Sequence, residues 1–245
     1  MIERYDKIGA GYSNQRKPDP RIGSHILEGL ADARSVLNVG AGAGSYEPTH
    51  VPTYAVEPSY QMIQQRRNKR NVVQGSAEAL PFTDAAVDSV LAVLTVHHWS
   101  NLAQGLSECA RTSKREVAIF TWDPESPGFW LTKEYFPELL ALDRSIFPSM
   151  EDLRHHLGSI QVQPVAIPAD CVDGFLGAYW QRPEAYLSDQ VRSGMSSFSR
   201  ITNLADRLEQ LQKDLASGCW HRTHGKLQAQ ESCDLGYRLV TAAVH

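Results

Sequence analysis

The chain of 245 residues is 42% hydrophobic and 21% charged, which excludes a disordered or fibrous protein and allows a substantial buried core. Its net charge of −4 excludes the overall basic field that draws proteins onto nucleic acid. No stretch approaches the about 20 consecutive apolar residues of a membrane span, and Met1–Asp6 lacks the features of a signal peptide. We therefore expect a cytoplasmic protein without a nucleic-acid or membrane partner.

Short apolar runs alternate with helical patterns in the first half of the chain. Ile22–Leu30 predicts a short helix with one apolar face. Ser59 can cap a second helix, and Asn101–Thr112 has the spacing of a third. The predicted strands between and after them span residues 35–40, 53–57, 72–74, 88–94 and 116–121. This order predicts an α/β protein with an open, doubly wound, mostly parallel sheet.

The regular alternation of strand and helix patterns ends after Asp123. The helical pattern Gly128–Leu140 must bend or restart at Pro137, and Ser149 with Asp152 has the pattern of a capping box. The patterns that follow are a helix stop at 158, a strand over 161–167, an aromatic-rich segment within 168–202, a helix over 204–215 and a strand over 235–244. These patterns complete a seven-stranded sheet with a helical insertion between the last two strands.

Two features of the sequence could bind ligands, but we expect a structural role for each. The basic run Arg66–Arg70 falls where the second helix ends, and cations at that end oppose the helix dipole and stay in solvent. The four cysteines lie far apart, as reduced thiols do. Cys219, His221, His224 and Cys233 are possible zinc ligands, but their spacing matches no common zinc finger, so we expect no metal site.

A glycine-rich turn follows the first strand, within Val36–Gly44. Its Gly-x-Gly-x-Gly pattern lets a ligand touch backbone that side chains would otherwise cover. The alternative, a dinucleotide site, would need glycine at the position of Ser45. Pro48 and Pro52 also leave no room for the full helix whose N-terminus holds a diphosphate. The turn therefore suits a nucleoside ligand that carries no diphosphate.

An acidic residue, Glu57, ends the second strand. A carboxylate at this position can accept hydrogen bonds from both ribose hydroxyls, and it repels a 2′-phosphate. A strand-end acid is in other proteins a helix cap, but its distance from the glycine turn favours the ribose role here.

With these motifs the sequence resembles the class I methyltransferases that use S-adenosylmethionine, in the small-molecule branch related to ubiquinone, menaquinone and trans-aconitate methyltransferases. The matching motifs follow one another in the family's order: Tyr5…Tyr12…Arg16, Leu37–Gly44, Ala55–Ser59 with Met62, Gly75–Phe82, and Val87–Thr95 followed by Val96-His97-His98-Trp99. They cover about the first half of the chain. The resemblance implies one Rossmann-like methyltransferase domain over residues 1–245, in which 1–20 is a leader that folds over the cofactor and 168–202 is a helical lid.

The resemblance also implies a site for S-adenosylmethionine and its product S-adenosylhomocysteine. The residues that it assigns to this cofactor are Tyr12, Arg16, Gly40, Ala41, Gly42, Glu57, Pro58, Met62, Ser76, Ala77, Glu78, Leu94 and Thr95. In that assignment the glycine turn lines the methionine part, Pro58 and Met62 pack on adenine, and Arg16 pairs with the methionine carboxylate.

Two adjacent histidines are the candidate catalytic residues. Methyl transfer mainly requires a positioned nucleophile in a site without water, and a base is needed only if that nucleophile must lose a proton. His97 and His98 follow the fourth strand, at the edge where open sheets bind ligands. Neighbouring side chains of an extended segment point in opposite directions, so we expect one of them at most to face the site, with His98 favoured.

The resemblance implies a small-molecule acceptor, which aromatic residues could surround. The candidates are Trp99, Trp122, Phe129, Trp130, Tyr179 and Trp180, of which Trp99 and Trp122 are the predicted substrate residues. Core packing is the alternative role for such a cluster. If the chamber exists, the acceptor is mostly apolar or aromatic. We expect methylation on an oxygen, nitrogen or carbon, and an enzyme that is a monomer or a homodimer.

Two alternative functions stay open at this point. Asn38 and Ser76 stand where the family usually has Asp, which is compatible with a protein that binds S-adenosylmethionine without catalysis. A nucleotide-dependent oxidoreductase is disfavoured by Ser45 and by the prolines that follow the glycine turn.

Overall fold

The central sheet of the computed structural model, which describes residues 16–30 and 32–244, is mostly parallel. The strands in this part of the chain are β1 (Val36–Val39), β2 (Thr53–Glu57), β3 (Val72–Gln74), β4 (Val87–Val93), β5 (Ser113–Trp122), β6 (Ile160–Pro164), β7 (Ile167–Pro168), β8 (Ser232–Cys233) and β9 (Tyr237–Ala243). Seven of these strands form the sheet in the order β3-β2-β1-β4-β5-β9-β6. β1 to β5 pair in parallel, and β9 runs antiparallel to both of its neighbours. The predicted seven-stranded sheet is therefore confirmed.

Helices of five to thirteen residues surround this sheet. Their bounds are α1 (Pro20–Glu28), α2 (Tyr60–Gln64), α3 (Leu102–Thr112), α4 (Pro137–Ile146), α5 (Met150–Leu157), α6 (Asp189–Ser193), α7 (Leu204–Ala216) and α8 (Cys219–His224). Shorter 3₁₀ turns lie at Val96–His98, Leu176–Tyr179, Pro183–Leu187, Ser196–Arg200 and Gly225–Ala229, with a π-helical turn at Leu131–Tyr135. Among the helices of the described residues, none is long and apolar enough to cross a membrane.

The alternation of side chains along the strands buries both faces of the sheet. In β1, Val36 packs into one hydrophobic cluster with Ile22 and Ile26 of α1. Leu37 packs into a second cluster on the opposite face, together with Leu106 of α3. Parallel strands covered on both faces are mostly apolar along their length, which is why the nearly continuous apolar runs of the sequence located β1, β2 and β4 well.

Local capping signals fix where several helices begin. The Ser59 hydroxyl accepts a hydrogen bond from the Met62 N–H at the start of α2. Ser149 and Asp152 form the predicted capping box before α5, and each satisfies a backbone donor of the first turn. Pro137 separates the π-helical turn from α4, as expected for a residue that cannot donate a backbone hydrogen bond inside a helix.

The predicted strand over 161–167 is wrong as a single element. It divides into β6, which belongs to the main sheet, and β7, which pairs with β8 in a separate two-stranded sheet. Pro164 and Pro168 end the two pieces, and each lacks the N–H that a longer ladder would use.

The segment predicted as an insertion, residues 168–202, consists mainly of short 3₁₀ turns and α6. Its aromatic residues Tyr186 and Phe198 pack in a third hydrophobic cluster with Trp130, Leu211 and Trp220. The segment therefore packs with the π-helical turn, α7 and α8 in one hydrophobic cluster. Its role as a lid stays a prediction, as does the role of the leader, most of which lies outside the described residues.

Candidate functional site

The glycine turn after β1 is held in a conformation that suits glycine. Gly40, Gly42 and Gly44 have φ angles of 67°, 51° and 90°, in the left-handed region that other residues rarely adopt. The N–H groups of Gly40 and Ala41 both donate to the carbonyl of Val56, at 2.8 and 3.1 Å. A Cβ on Gly40 would overlap the side chain of Thr95, whose own Cβ would lie only 2.9 Å away.

Glu57 fixes the turn to the end of β2. Its side chain is buried, with 6% of the residue exposed. Oε2 accepts a hydrogen bond from the Gly42 N–H at 2.7 Å, and Oε1 accepts one from the Ser59 N–H at 2.9 Å. A carboxylate offers about four lone-pair positions, so bonds to the backbone and bonds to ribose hydroxyls are compatible on this one group.

Arg66 corrects the expectation that the basic run Arg66–Arg70 stays in solvent. Its residue is only 7% exposed, and its Nη2 donates to Glu47 Oε1 and Oε2 at 2.6 and 2.8 Å. Nη1 donates to the Gly42 carbonyl at 3.1 Å, so the guanidinium stabilises the glycine turn through its backbone. Arg66 lies two residues beyond Gln64, where α2 ends, so helical periodicity offered no signal for its burial.

A cavity of about 290 Å³ lies against the glycine turn. Every cofactor residue predicted from the sequence lines it except Tyr12, which lies outside the described residues: Arg16, Gly40, Ala41, Gly42, Glu57, Pro58, Met62, Ser76, Ala77, Glu78, Leu94 and Thr95. Asn38, Ala43, Ser45, Ser59, Val93, His98, Trp99 and Ser100 complete the wall. The volume is close to the lower limit of about 300 Å³ for small-molecule sites. We call this space the larger cavity.

Asn38 and Ser76, the two departures from the family's pattern, both line the larger cavity. Asn38 is 1% exposed, and its Nδ2 donates to Glu47 Oε1 at 3.1 Å. Its Oδ1 is buried without a hydrogen-bond donor among the described residues. The charge that Asn38 lacks is therefore present nearby, on Glu47, but Arg66 neutralises it.

Glu78 organises the wall beside Ser76 and Ala77. Its Oε1 accepts hydrogen bonds from the N–H and the hydroxyl of Ser100, at 2.7 and 2.8 Å, and from the Asn101 N–H at 3.1 Å. Burial by itself would raise the pKa of Glu78, but these hydrogen bonds outweigh it and hold that pKa below its usual value. Glu78 is therefore an ionised anchor for the loop that carries Trp99.

A smaller cavity of about 80 Å³ adjoins the larger one. Arg16, Leu94 and His98 line both. Leu94 has a φ of 47°, which is uncommon outside glycine and is found where tertiary structure imposes it, often at functional sites. Its N–H donates to the Phe120 carbonyl at 2.7 Å, so the shared wall is anchored to the central strand β5.

The structure corrects the expected orientation of the two histidines. His97 and His98 lie in a 3₁₀ turn rather than in an extended segment, and their ring centroids are 3.9 Å apart. His98 lines both cavities, and His97 lines the smaller one, so each reaches the site. Burial, followed by the charges of His98, Arg16 and Arg200, holds the pKa of His97 well below its usual range, which keeps this imidazole neutral at physiological pH.

The six aromatic candidates separate into wall and core residues. Trp122 and Phe129 line the smaller cavity, whereas Trp99 lines the larger one. Trp130 and Trp180 are 4% and 1% exposed, and the Trp130 Nε1 donates to the Trp180 carbonyl at 2.7 Å. The core interpretation therefore applies to Trp130 and Trp180, and also to Tyr179, which is partly buried and packs against the first and third hydrophobic clusters. The smaller cavity takes its further rings from Phe147, Phe175 and Tyr237.

Sequence reasoning did not identify Asp143, a buried acid that lines the smaller cavity. Asp143 follows Leu139 by four residues, and both lie on the buried face of α4. An acid at a position where helical periodicity demands an apolar residue is the signal that could have identified it.

The Cys219, His221, His224 and Cys233 cluster is not assembled as a metal site. Within residues 16–30 and 32–244, no three His, Cys, Asp or Glu side chains are arranged to hold a metal ion. His224 instead contacts Glu134, with 2.9 Å between Nε2 and Oε2.

A family described as "Methyltransferase domain" matches residues 37–121. The crystal structure of a putative methyltransferase from an antibiotic biosynthesis pathway of Anabaena variabilis is 33% identical, with a TM-score of 0.86 over 93% of this chain and 98% of that one.

Two curated relatives match a shorter segment. The uncharacterised methyltransferase YcgJ of Bacillus subtilis is 31% identical over 107 residues, which are 38% of this chain and 42% of the relative. The uncharacterised protein YafE of Escherichia coli is 27% identical over 103 residues, 42% of this chain and 50% of the relative. The matched segment thus spans half or less of these relatives' length. With the Anabaena structure similar over almost its whole length and the glycine turn and Glu57 in place, the chain belongs to the class I S-adenosylmethionine-dependent methyltransferase family.

Proposed function

We propose that this protein transfers a methyl group from S-adenosylmethionine to an oxygen, nitrogen or carbon of a mostly apolar small molecule. The observation that carries the proposal is the shared wall of the two cavities, formed by Arg16, Leu94 and His98. A nucleoside ligand in the larger cavity and an acceptor in the smaller one would meet at this wall. Such an arrangement brings two reactants into contact and excludes water, which are the main requirements of methyl transfer.

The residues of the larger cavity fit S-adenosylmethionine. The left-handed glycines leave backbone accessible where a Cβ would intrude, and Glu57 presents a carboxylate suited to ribose hydroxyls. Asn38 Oδ1 and Trp99 Nε1 are a buried acceptor and a buried donor without partners among the described residues. When bound, S-adenosylmethionine supplies a methyl group on a cationic sulfur, and neutral S-adenosylhomocysteine remains once the acceptor has taken that methyl.

Arg16 is the cation suited to the methionine carboxylate. Its Nε donates to Asp173 Oδ1 at 2.8 Å, and its guanidinium lies 6.0 Å from the centre of the Phe175 ring. Guanidinium has five N–H donors in a rigid fork, so one face can be anchored while another binds a ligand. Arg16 would therefore be oriented before the ligand enters, which lowers the entropic cost of binding.

His98 is placed to accept a proton from the acceptor. It lines the wall common to both cavities, where the nucleophilic atom would have to lie. His97, kept neutral by its surroundings, lies beside it with 3.9 Å between ring centroids and avoids adding a second positive charge. We assign the acceptance of the proton to His98, and to His97 the positioning of the His98 ring.

The walls of the smaller cavity support an apolar acceptor. Trp122, Phe129, Phe147 and Phe175 line it together with several aliphatic side chains. Rings of this kind stabilise an apolar or aromatic ligand by contact area and by ring–ring packing. Polar side chains also line the cavity, among them His97, His98, Thr132, Asp143 and Ser197, and these would orient the ligand.

Calorimetry with S-adenosylmethionine and S-adenosylhomocysteine, followed by transfer of a labelled methyl group to a metabolite extract, tests the proposal. We expect micromolar binding of both compounds and label in a small molecule. His98→Ala should lower turnover by about a hundredfold with near-normal affinity for S-adenosylhomocysteine. The matched control is His155→Ala, because His155 is exposed on α5.

Each outcome of this experiment discriminates between functions. Absence of binding at millimolar concentration would contradict the assignment of the larger cavity. Binding without transfer to any extract would favour the non-catalytic alternative suggested by Asn38 and Ser76. Transfer that His98→Ala leaves unchanged would remove the proton-accepting role from this histidine.

A further inference from the structure

Asp143 is a buried acid that the proposed reaction does not use. It lies on α4, its residue is 7% exposed, and it lines the smaller cavity. The Ser197 hydroxyl donates to its Oδ1 at 2.9 Å. No Lys, Arg or His nitrogen among the described residues lies within 4.0 Å of its carboxylate as an ion pair, in contrast to Asp19 and Asp173.

Several features of this position disfavour a negative charge. Burial raises the pKa of Asp143 to about 6, against the opposing effects of the Ser197 hydrogen bond and the charge of Arg200. Asp143 also lies three residues before Ile146, the end of α4, where the helix dipole opposes an anion. Arg200 is itself exposed, so solvent screens its charge. A costly charge that the fold retains in a cavity indicates a functional role.

The surroundings of Asp143 favour a cationic ligand. The faces of aromatic rings attract cations within about 6 Å, and Trp122, Phe129 and Phe147 are among the rings of this cavity. The guanidinium of Arg16, which also lines the cavity, is already paired with Asp173. Asp143 therefore contributes a negative charge of the wall that no close cation of the described residues neutralises.

We propose that Asp143 binds a protonated amine of the methyl acceptor, so that the acceptor is a small apolar or aromatic amine. The inference rests on the proposed function, because it places the acceptor in the smaller cavity. A charge-assisted hydrogen bond from an ammonium is about twice as strong as one from a neutral hydroxyl, and the same carboxylate repels an anion. The volume of about 80 Å³ is several times the about 10–15 Å³ that a cavity needs to hold one water molecule, so it accommodates a small group.

Three probes of similar shape but different charge test the inference: benzylamine, benzyl alcohol and benzoate. Their binding is measured by ligand-observed NMR and calorimetry, on the protein alone and on the protein saturated with S-adenosylhomocysteine. We expect benzylamine to bind about tenfold more tightly than benzyl alcohol, and benzoate most weakly. Failure of S-adenosylhomocysteine to bind would contradict the proposed function, whereas the ranking of the three probes on the protein alone tests Asp143 separately.

Variants of the cavity decide whether the carboxylate causes the preference. Asp143→Asn keeps the shape and should reduce benzylamine affinity about tenfold, with benzyl alcohol and S-adenosylhomocysteine within about twofold. Asp206→Asn is the control, because Asp206 is exposed on α7. Ser197→Ala is a second variant that keeps the carboxylate and removes its donor, so amine binding should persist but require a higher pH.

The pH dependence of amine binding gives an independent measurement. Benzylamine affinity should fall as the pH decreases through about 6, where Asp143 gains a proton. His97, His98, Tyr237 and Arg16 also face the cavity and Arg200 acts on it from outside, so the step must disappear in Asp143→Asn to be assigned to Asp143. Equal affinity of amine and alcohol, or an unchanged preference in Asp143→Asn, would overturn the inference.

Discussion

Arg16, which is partly buried, and Asp173, whose side chain is fully buried, form an ion pair with 2.8 Å between Nε and Oδ1 that joins the end of the leader to the insertion. The Tyr46 hydroxyl donates to the other oxygen of Asp173 at 2.8 Å, and the Gly174 N–H donates to Oδ1 at 2.7 Å. Tyr46 belongs to the segment after the glycine turn. The carboxylate of Asp173 thus connects three separate parts of the chain beside the two cavities.

This connection predicts that Asp173→Asn loosens Arg16. An amide cannot neutralise the guanidinium, so the variant should lose about 3 kcal/mol of stability and bind S-adenosylhomocysteine about tenfold more weakly. Urea unfolding and calorimetry measure the two effects. Asp170→Asn on the same segment is the control, since Asp170 is 80% exposed in its ion pair with Arg21 and such pairs contribute little. Unchanged affinity in Asp173→Asn would show that Arg16 is positioned by other contacts.

The glycine turn predicts a second result. Gly40→Ala introduces a Cβ that overlaps Thr95 at a φ of 67°, so it should abolish detectable binding of S-adenosylhomocysteine. Gly158→Ala is the matched control, because Gly158 has a φ of 78° but nothing within 4 Å of a new Cβ. Gly158→Ala should lower the free energy of unfolding by about 1–3 kcal/mol because of backbone strain. Its affinity for S-adenosylhomocysteine should be unchanged. Retained binding in Gly40→Ala would mean that the turn adapts.

The contacts of Arg66 lead to a third prediction, which concerns stability and cofactor affinity. Arg66→Gln leaves Glu47 without its cationic partner and removes the donor to the Gly42 carbonyl, so stability should fall by about 3 kcal/mol and cofactor affinity should fall with it. Arg67→Gln, at an exposed neighbouring position, should change stability by less than about 0.5 kcal/mol. Comparable urea midpoints for the two variants would contradict the supporting role of Arg66.

Asp143 predicts a pH dependence of stability. Its pKa is raised from 3.8 to about 6 in the folded protein, so the folded state holds this proton more tightly than the unfolded state. The associated stability is fully present below pH 3.8 and is lost as the pH rises through about 6. Relative to Asp143→Asn, the wild-type free energy of unfolding should therefore fall by about 2 kcal/mol between about pH 4 and pH 7. Parallel pH profiles of the two proteins, from urea unfolding, would refute the shift.

Much of the fold was predictable because parallel strands covered on both faces are written as continuous apolar runs. β2 and β3 have the bounds expected from Thr53–Glu57 and Val72–Gln74. The glycine turn and Glu57 were equally recognisable, since a positive φ and a strand-end acid leave local marks in the sequence. Helix starts at Ser59 and Ser149 followed from capping chemistry within a few residues.

The sequence could not show which polar residues meet from distant segments. Asp173 reaches Arg16 across 157 positions, and Ser197 reaches Asp143 across 54. Nothing local distinguishes Asp173 from a solvated acid, and the helical position of Asp143 indicates its burial but not its hydrogen-bond partner. The expectation that the whole basic run Arg66–Arg70 is exposed to solvent was wrong for the same reason. The burial of Arg66 depends on Glu47 and on the carbonyl of Gly42.

The sequence by itself therefore determined the sheet, the edge at which the glycine turn and Glu57 meet, and the family, because these depend on periodicity and on backbone chemistry within short segments. Only the tertiary structure decided how His97 and His98 are oriented, and which aromatic residues are wall and which are core. It also placed Asp143 in the smaller cavity. Long-range packing alone sets the dielectric surroundings and the hydrogen-bond partners of a side chain, and those surroundings decide whether an acid or an imidazole is solvated or functional.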